Sequence, residues 1–89
     1  MQVIFSPEAL ADLVAIRIHI GTDSPAAASR MTVQIVAACD RLEFLPECGR
    51  PGLAPGTREL TGAWPYVIVY RVTPEGVQIM RIWHGAQDR

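Results

Sequence analysis

The chain contains no lysine, and all eight of its basic residues are arginines set against nine acidic residues. The formal net charge of −1 provides no global positive field to attract nucleic acid, which argues against a dedicated DNA- or RNA-binding protein. Arginine stays protonated and forms forked hydrogen bonds to carboxylate or phosphate groups. Any proton transfer would therefore depend on histidine, aspartate, glutamate or tyrosine.

Cysteines and long apolar runs are also scarce. Cys39 and Cys48 have a spacing that matches neither a redox pair nor a zinc site, so we expect two free thiols in a reducing cytosol. No apolar run approaches the ~20 residues of a membrane-spanning helix, and the chain does not open on a signal peptide. We therefore expect a cytoplasmic protein without membrane contact, metal or cofactor.

A length of 89 residues fits a single domain, covering residues 1–89, and 49 % of the residues are hydrophobic. A body this small has a high surface-to-volume ratio and cannot easily hide so much apolar surface. Part of that surface is therefore expected to contact a partner.

Two helices are predicted in the first half of the chain. A serine N-cap followed by proline occurs at Ser6 and at Ser24, and apolar residues then recur at intervals of three and four. The first helix is expected to end near Ile20 and the second before Pro46, which predicts an antiparallel hairpin. We expect the stripe that includes Leu10, Leu13, Ile35 and Leu42 to lie in the core, and Asp12, Asp40 and Glu43 to face solvent.

Residues 2–5 are prone to form a strand, and residues 57–60, 66–72 and 77–83 are predicted strands, with a turn at 73–76 and a loop at 47–56. Short connections favour antiparallel pairing, and the helical hairpin must cover one face of the sheet. The predicted class is α+β, in the order β-α-α-β-β-β. Alternation along the last strand places Ile79, Arg81 and Trp83 on one face and Met80, Ile82 and His84 on the other.

The sheet face without helices is expected to combine apolar, aromatic and arginine side chains, which is typical of the centre of a protein interface. The candidate contact residues are Arg58, Trp64, Tyr70, Arg81, Trp83 and His84. Core packing of Tyr70 and Trp83 is an open alternative, as is pairing of either Arg58 or Arg81 with a carboxylate. His84 is also a candidate general acid or base, because histidine titrates near neutral pH, and capping of the strand end is the open alternative.

Several segments, in this order along the chain, resemble the RelE/ParE family of toxins: Ser6-Pro7-Glu8-Ala9, Pro46 to Gly49-Arg50, Gly56-Thr57-Arg58-Glu59-Leu60, Pro65-Tyr66-Val67-Ile68-Val69-Tyr70-Arg71-Val72 and Arg81-Ile82-Trp83-His84-Gly85. The resemblance covers nearly the whole chain. It implies the toxin of a bacterial type II toxin–antitoxin pair, of the kind associated with plasmid stabilisation, which a cognate antitoxin protein neutralises.

RelE-like members of this family cut mRNA in the ribosome, whereas ParE-like members inhibit DNA gyrase. Ribonuclease members carry an arginine where this chain has Val67 and basic residues where it has Ala86 and Gln87. The resemblance is thus closer to the ParE branch, which implies growth arrest through gyrase without chemistry by the toxin itself.

Two alternatives remain open. The first is a ribosome-dependent mRNA endonuclease, in which Arg58 and Arg81 would hold the phosphate and His84 would transfer protons. The second is a non-toxic relic that retains antitoxin binding.

Overall fold

The computed structural model describes residues 1–85 and confirms the predicted α+β class. The elements are β1 (Val3–Phe5), α1 (Pro7–Asp23), α2 (Pro25–Asp40), a 3₁₀ turn (Arg41–Glu43), β2 (Arg50–Pro51), β3 (Arg58–Ala63), β4 (Tyr66–Thr73) and β5 (Gly76–His84). The short strand β2 lies inside the segment that was predicted as a loop. Ala86 and Gln87 lie outside the described residues.

The two helices are joined at one residue. Ser24 donates its backbone N–H to the Ile20 carbonyl, 2.9 Å away, and accepts from the Ala27 N–H at 3.2 Å through its side chain. It therefore ends α1 and caps α2, and α1 extends three residues past the predicted end at Ile20. Gly21 does not stop the helix, and a Cβ at that position would lie 3.7 Å from Ala28. The connection between the helices is therefore a single residue, shorter than an end of α1 near Ile20 predicted.

The five strands form one sheet in the order β1-β5-β4-β3-β2. Strand β1 pairs in parallel with β5, and the other three pairings are antiparallel. The expectation of an antiparallel sheet therefore fails for β1. That expectation rested on short connections, whereas β1 is separated from β5 by the helical hairpin and three other strands, which leaves a parallel pairing possible.

A β-bulge changes the face of the last strand. Val69 pairs with Arg81, but the next residue of β4, Tyr70, pairs with Ile79, so Met80 is an extra residue in β5. The bulge reverses the alternation of side chains beyond it. Ile82 joins Ile79 in the core, and the prediction that Ile79 shares a face with Arg81 and Trp83 is wrong.

The core lies between the helices and one face of the sheet, and its largest fully buried side chains include Tyr70, Ile35, Leu42, Ile68 and Ile79. Burial raises the pKa of the Cys39 thiol to about 12, with a smaller contribution from the neighbouring charge of Asp40, whereas Cys48 is exposed. Neither cysteine is in a disulfide, as predicted.

Two helix predictions are wrong. Leu10 is 50 % exposed because the apolar stripe of α1 is wider than the face that the sheet covers. Asp12 is half-buried and bonds to β5 instead of facing solvent.

The start of α1 is fastened to the bulge by Ser6. Its hydroxyl accepts from the Ala9 N–H at 3.0 Å and donates to the Met80 carbonyl at 2.8 Å, while its own N–H donates to the Ile79 carbonyl at 2.8 Å. Ser6 is therefore both a helix cap and a connection between helix and sheet.

Replacing Ser6 by alanine should destabilise the protein more than replacing Ser24, because Ser24→Ala removes a cap alone. We expect about 1 kcal/mol for Ser24→Ala and about 2–3 kcal/mol for Ser6→Ala, since the second change also leaves the Met80 carbonyl without its donor. Urea unfolding of the two variants measures the difference. Equal losses would show that the bond to Met80 contributes nothing.

Candidate functional site

A cavity of about 510 Å³ opens between α1 and the end of β5. It exists because β1 pairs with β5 only as far as Ile79, so that α1 lies against the remaining edge of β5 in the described part of the chain. The α1 residues in its wall are spaced as one face of a helix. The cavity is lined by Asp12, Ala15, Ile16, His19, Tyr66, Arg81, Ile82, Trp83 and His84.

Asp12 and Arg81 form a forked ion pair across this cavity. Arg81 donates through Nε to Oδ2 of Asp12 at 2.8 Å and through Nη2 to Oδ1 at 3.0 Å. The Ile82 N–H also donates to Oδ2 of Asp12, at 2.9 Å. The hydrogen bond to Asp12 raises the pKa of Arg81 above its ordinary value, so this guanidinium stays charged.

Trp83 lies beside the guanidinium on the same face of β5. The Arg81 Cζ atom is 5.2 Å from the centre of the Trp83 ring, within the range of a cation–π contact. The indole Nε1–H of Trp83 is buried and has no hydrogen-bond partner within residues 1–85. The pair therefore combines a large flat apolar surface with a fixed positive charge.

His84 and Trp64 lie at the same end of the sheet. The His84 ring is exposed and meets the buried ring of Tyr66 edge-on, with centroids 5.5 Å apart. Trp64 is 65 % exposed and lies against Gly85, where an added Cβ would be 2.8 Å from the indole. Four of the six predicted contact residues therefore gather at this end: Trp64, Arg81, Trp83 and His84.

Arg58 is placed elsewhere. It pairs across the strands with Tyr70, whereas Arg81 pairs with Val69, so alternation puts the two arginines on opposite faces of the sheet. Nη1 of Arg58 donates to the carbonyls of Glu47 at 3.2 Å and Gly49 at 2.9 Å. Its role in the structure is to hold the loop that precedes β3.

Tyr70 is a core residue, and the prediction that it is an exposed contact is wrong. Its side chain is fully buried, and its hydroxyl accepts from the Gly49 N–H at 2.9 Å. Burial raises the pKa of Tyr70, and the bond from Gly49 opposes that shift. Tyr70 follows the β-branched Val69 inside β4, whereas Trp64 lies between Ala63 and Pro65 in the turn before β4, where it is exposed.

Sequence reasoning missed the contribution of α1 to this cavity. Asp12 and His19 lie seven residues apart, and therefore on one side of the helix, together with Ala15. The spacing was visible in the sequence, but nothing in it indicated that this side would meet β5. Within residues 1–85 no group of three or more histidine, cysteine, aspartate or glutamate side chains is placed to hold a metal ion. No helix in that range has the length and apolar character needed to cross a membrane.

The fold and the sequence agree with known toxins. The model of the ParE toxin of the type II toxin–antitoxin system parDE matches residues 3–89. Toxin RelE2 of Caulobacter vibrioides is 49 % identical over 87 residues, covering 97 % of both chains, and Toxin RelE1 of the same organism is 36 % identical over 98 % of this chain and 96 % of its own. The solved structure of a chromosomal ParDE TA system from P. aeruginosa superimposes with a TM-score of 0.85 at 33 % identity, covering 94 % of this chain and 95 % of that one.

These similarities define the protein as the toxin of a type II toxin–antitoxin system. The chain belongs to the ParE toxin family, as the resemblance implied. A toxin of this kind implies an antitoxin partner.

Tyr70→Phe should destabilise the toxin by about 1–3 kcal/mol, because it leaves the buried Gly49 N–H without an acceptor, and should leave growth arrest by the folded protein unchanged. Ile68→Val is the control for a core change that does not touch the loop, at a similar cost of about 1 kcal/mol. Urea unfolding and hydrogen exchange at the Gly49 amide measure both variants. If Tyr70→Phe lost growth arrest while its stability was unchanged, the Tyr70 hydroxyl would have to contact the target.

Proposed function

We propose that this toxin inhibits DNA gyrase by binding it, in the manner of ParE, and that a cognate antitoxin holds it inactive. The contact surface is the end of the sheet at the cavity: Trp64, Arg81, Trp83 and His84. One observation carries the proposal. The three candidate groups for RNA cleavage, Arg58, Arg81 and His84, do not come together at one place, whereas side chains suited to binding a protein do.

Cleavage of RNA requires cations around one phosphate and a group that moves the 2′-hydroxyl proton. Arg81 and His84 both line the cavity, but Arg58 lies on the face of the sheet opposite to Arg81. Since Arg58 pairs with Tyr70 and His84 with Tyr66, they are also separated by four residues of β4, roughly 13 Å along the strand. Val67, which stands where the ribonuclease branch places an arginine, is 1 % exposed.

The same end of the sheet has the composition of a binding hot spot. Tryptophan and arginine dominate the energetics of protein interfaces when they are rigid and close together. Arg81 is held by Asp12 and Trp83, and the exposed Trp64 lies nearby through its contact with Gly85. This arrangement supports a toxin that acts by binding its target protein.

The second candidate function is mRNA cleavage on the ribosome. It is favoured by the relatives named RelE and by the shared cavity of Arg81 and His84. On this alternative Arg58 would not reach the phosphate that Arg81 holds, so His84 and Arg81 would carry the reaction without it.

A separate apolar surface on α1 fits the antitoxin. Leu10, Val14 and Ile18 are 50 %, 56 % and 67 % exposed and follow one another at intervals of four residues. They continue into a groove of about 290 Å³ between the helices, and Arg17 carries the only charge among its lining residues within the described range. We propose that an amphipathic antitoxin segment lies here, with an acidic residue near Arg17.

Expression of the toxin alone tests the target. The expected result is growth arrest with an SOS response and DNA breakage, and inhibition of supercoiling when purified toxin is added to gyrase. Messenger RNA cut within translated codons, with gyrase unaffected, would instead establish the ribosomal function. Normal growth at high expression would identify a relic.

In the same assay, Arg81→Ala and Trp83→Ala should weaken gyrase inhibition by about 30-fold, as expected for loss of a hot spot, and His84→Gln should have a smaller effect. A binding toxin depends on anchors more than on a proton carrier. Arg71→Ala is the control, since Arg71 is an exposed arginine bonded to Gln78 far from the cavity. If His84→Gln alone abolishes toxicity in a folded protein, the enzymatic function is favoured.

Ile18→Glu should weaken antitoxin binding at least about tenfold, because it places a charge where an apolar side chain would be buried. Val33→Glu is the matched control, since Val33 on α2 is also 67 % exposed but does not line the groove. Titration of each variant with the cognate antitoxin measures the dissociation constant. Equal affinity for the two variants would place the antitoxin elsewhere.

A further inference from the structure

Asp12 makes three hydrogen bonds that connect α1 to β5. Two join its carboxylate to the Nε and Nη2 atoms of Arg81, and the third accepts the Ile82 N–H. The side chain of Asp12 is 16 % exposed and that of Arg81 is 44 % exposed. One partner of the pair is therefore set into the wall of the cavity, and the other extends from it into solvent.

The forked pair fixes the direction of the guanidinium. A forked bond between arginine and carboxylate holds both groups in one plane, and an arginine side chain otherwise has many rotamers available. Trp83, 5.2 Å from the Arg81 Cζ atom, provides a second contact. Because Nε and Nη2 are engaged by Asp12, a partner would meet the distal edge of the guanidinium, where Nη1 lies.

We infer that Asp12 is a positioning residue for the target contact, which holds Arg81 so that its distal N–H groups face a carboxylate or carbonyl acceptor of the bound protein. The inference rests on the proposed use of Arg81 in target binding. Asp12 itself need not touch the target. Its contribution is to order Arg81 before binding, which lowers the entropy that binding must remove.

Asp12→Asn breaks the fork while keeping the bond to Ile82. An amide oxygen in the place of Oδ2 still accepts from the Ile82 N–H and from Nε of Arg81, but an amide nitrogen in the place of Oδ1 cannot accept from Nη2, and the negative charge is lost. Asp40→Asn is the control, because Asp40 is an exposed aspartate at the end of α2 and undergoes the same change of charge. Urea unfolding and antitoxin affinity establish that each variant is folded.

The test is a double-mutant cycle on the potency of growth arrest. Asp12→Asn should reduce potency by about tenfold in the wild-type toxin and by less than about twofold in the Arg81→Ala background. In ¹⁵N NMR spectra the Arg81 Nε–H signal should shift and broaden in Asp12→Asn, because the guanidinium is then no longer held at a fixed distance from the Trp83 ring. The same signal should be unchanged in Asp40→Asn.

Equal losses in the two backgrounds, or full potency of Asp12→Asn when Arg81→Ala is impaired, would overturn the inference while leaving the use of Arg81 intact. Full potency of Arg81→Ala would instead remove Arg81 from the proposed contact surface. Because growth arrest is the readout, the test gives the same answer whether the target is gyrase or the ribosome. A wild-type chain that arrests no growth would overturn both proposals.

Discussion

The attachment of α1 to the end of β5 is the constraint on which the candidate site depends. Ser6 bonds to Ile79 and Met80, and one to two turns later Asp12 bonds to Arg81 and Ile82. These contacts occupy the edge of β5 that β1 does not cover. Because α1 is held to β5 at Ser6 and at Asp12, the distance between the helix and the end of the strand is fixed. That distance sets the width of the cavity and the positions of the side chains that line it.

The bulge at Met80 is the second part of the same arrangement. Without the extra residue, simple alternation would keep Ile79, Arg81 and Trp83 on one face of β5. With it, Ile79 and Ile82 both reach the core, and Arg81 and Trp83 turn to the face where they form a charged aromatic pair. One extra residue therefore lets a single strand contribute side chains both to the core and to the proposed contact surface.

The sequence was sufficient to predict both helices and the strands β1, β3, β4 and β5, because their signals are local. The caps at Ser6 and Ser24 and the β-branched run of β4 each depend on residues close together in the chain. The parallel pairing of β1 and the bulge were not predictable in this way, since each is decided by strands that are distant in sequence. For the same reason Asp12 was assigned to solvent, although its partner Arg81 was recognised as a candidate.

In the proposed function, two sides of α1 serve different contacts, one at the target site and one with the antitoxin. Asp12, Ala15 and His19 line the cavity, whereas Leu10, Val14 and Ile18 form a separate row centred about 130° around the same helix, given 3.6 residues per turn. Substitutions along one side leave the other side chemically unchanged. On the proposed assignment of the two surfaces, the side chains that bind the antitoxin can change while those at the target contact stay the same, because the rigid helix keeps the two sets apart.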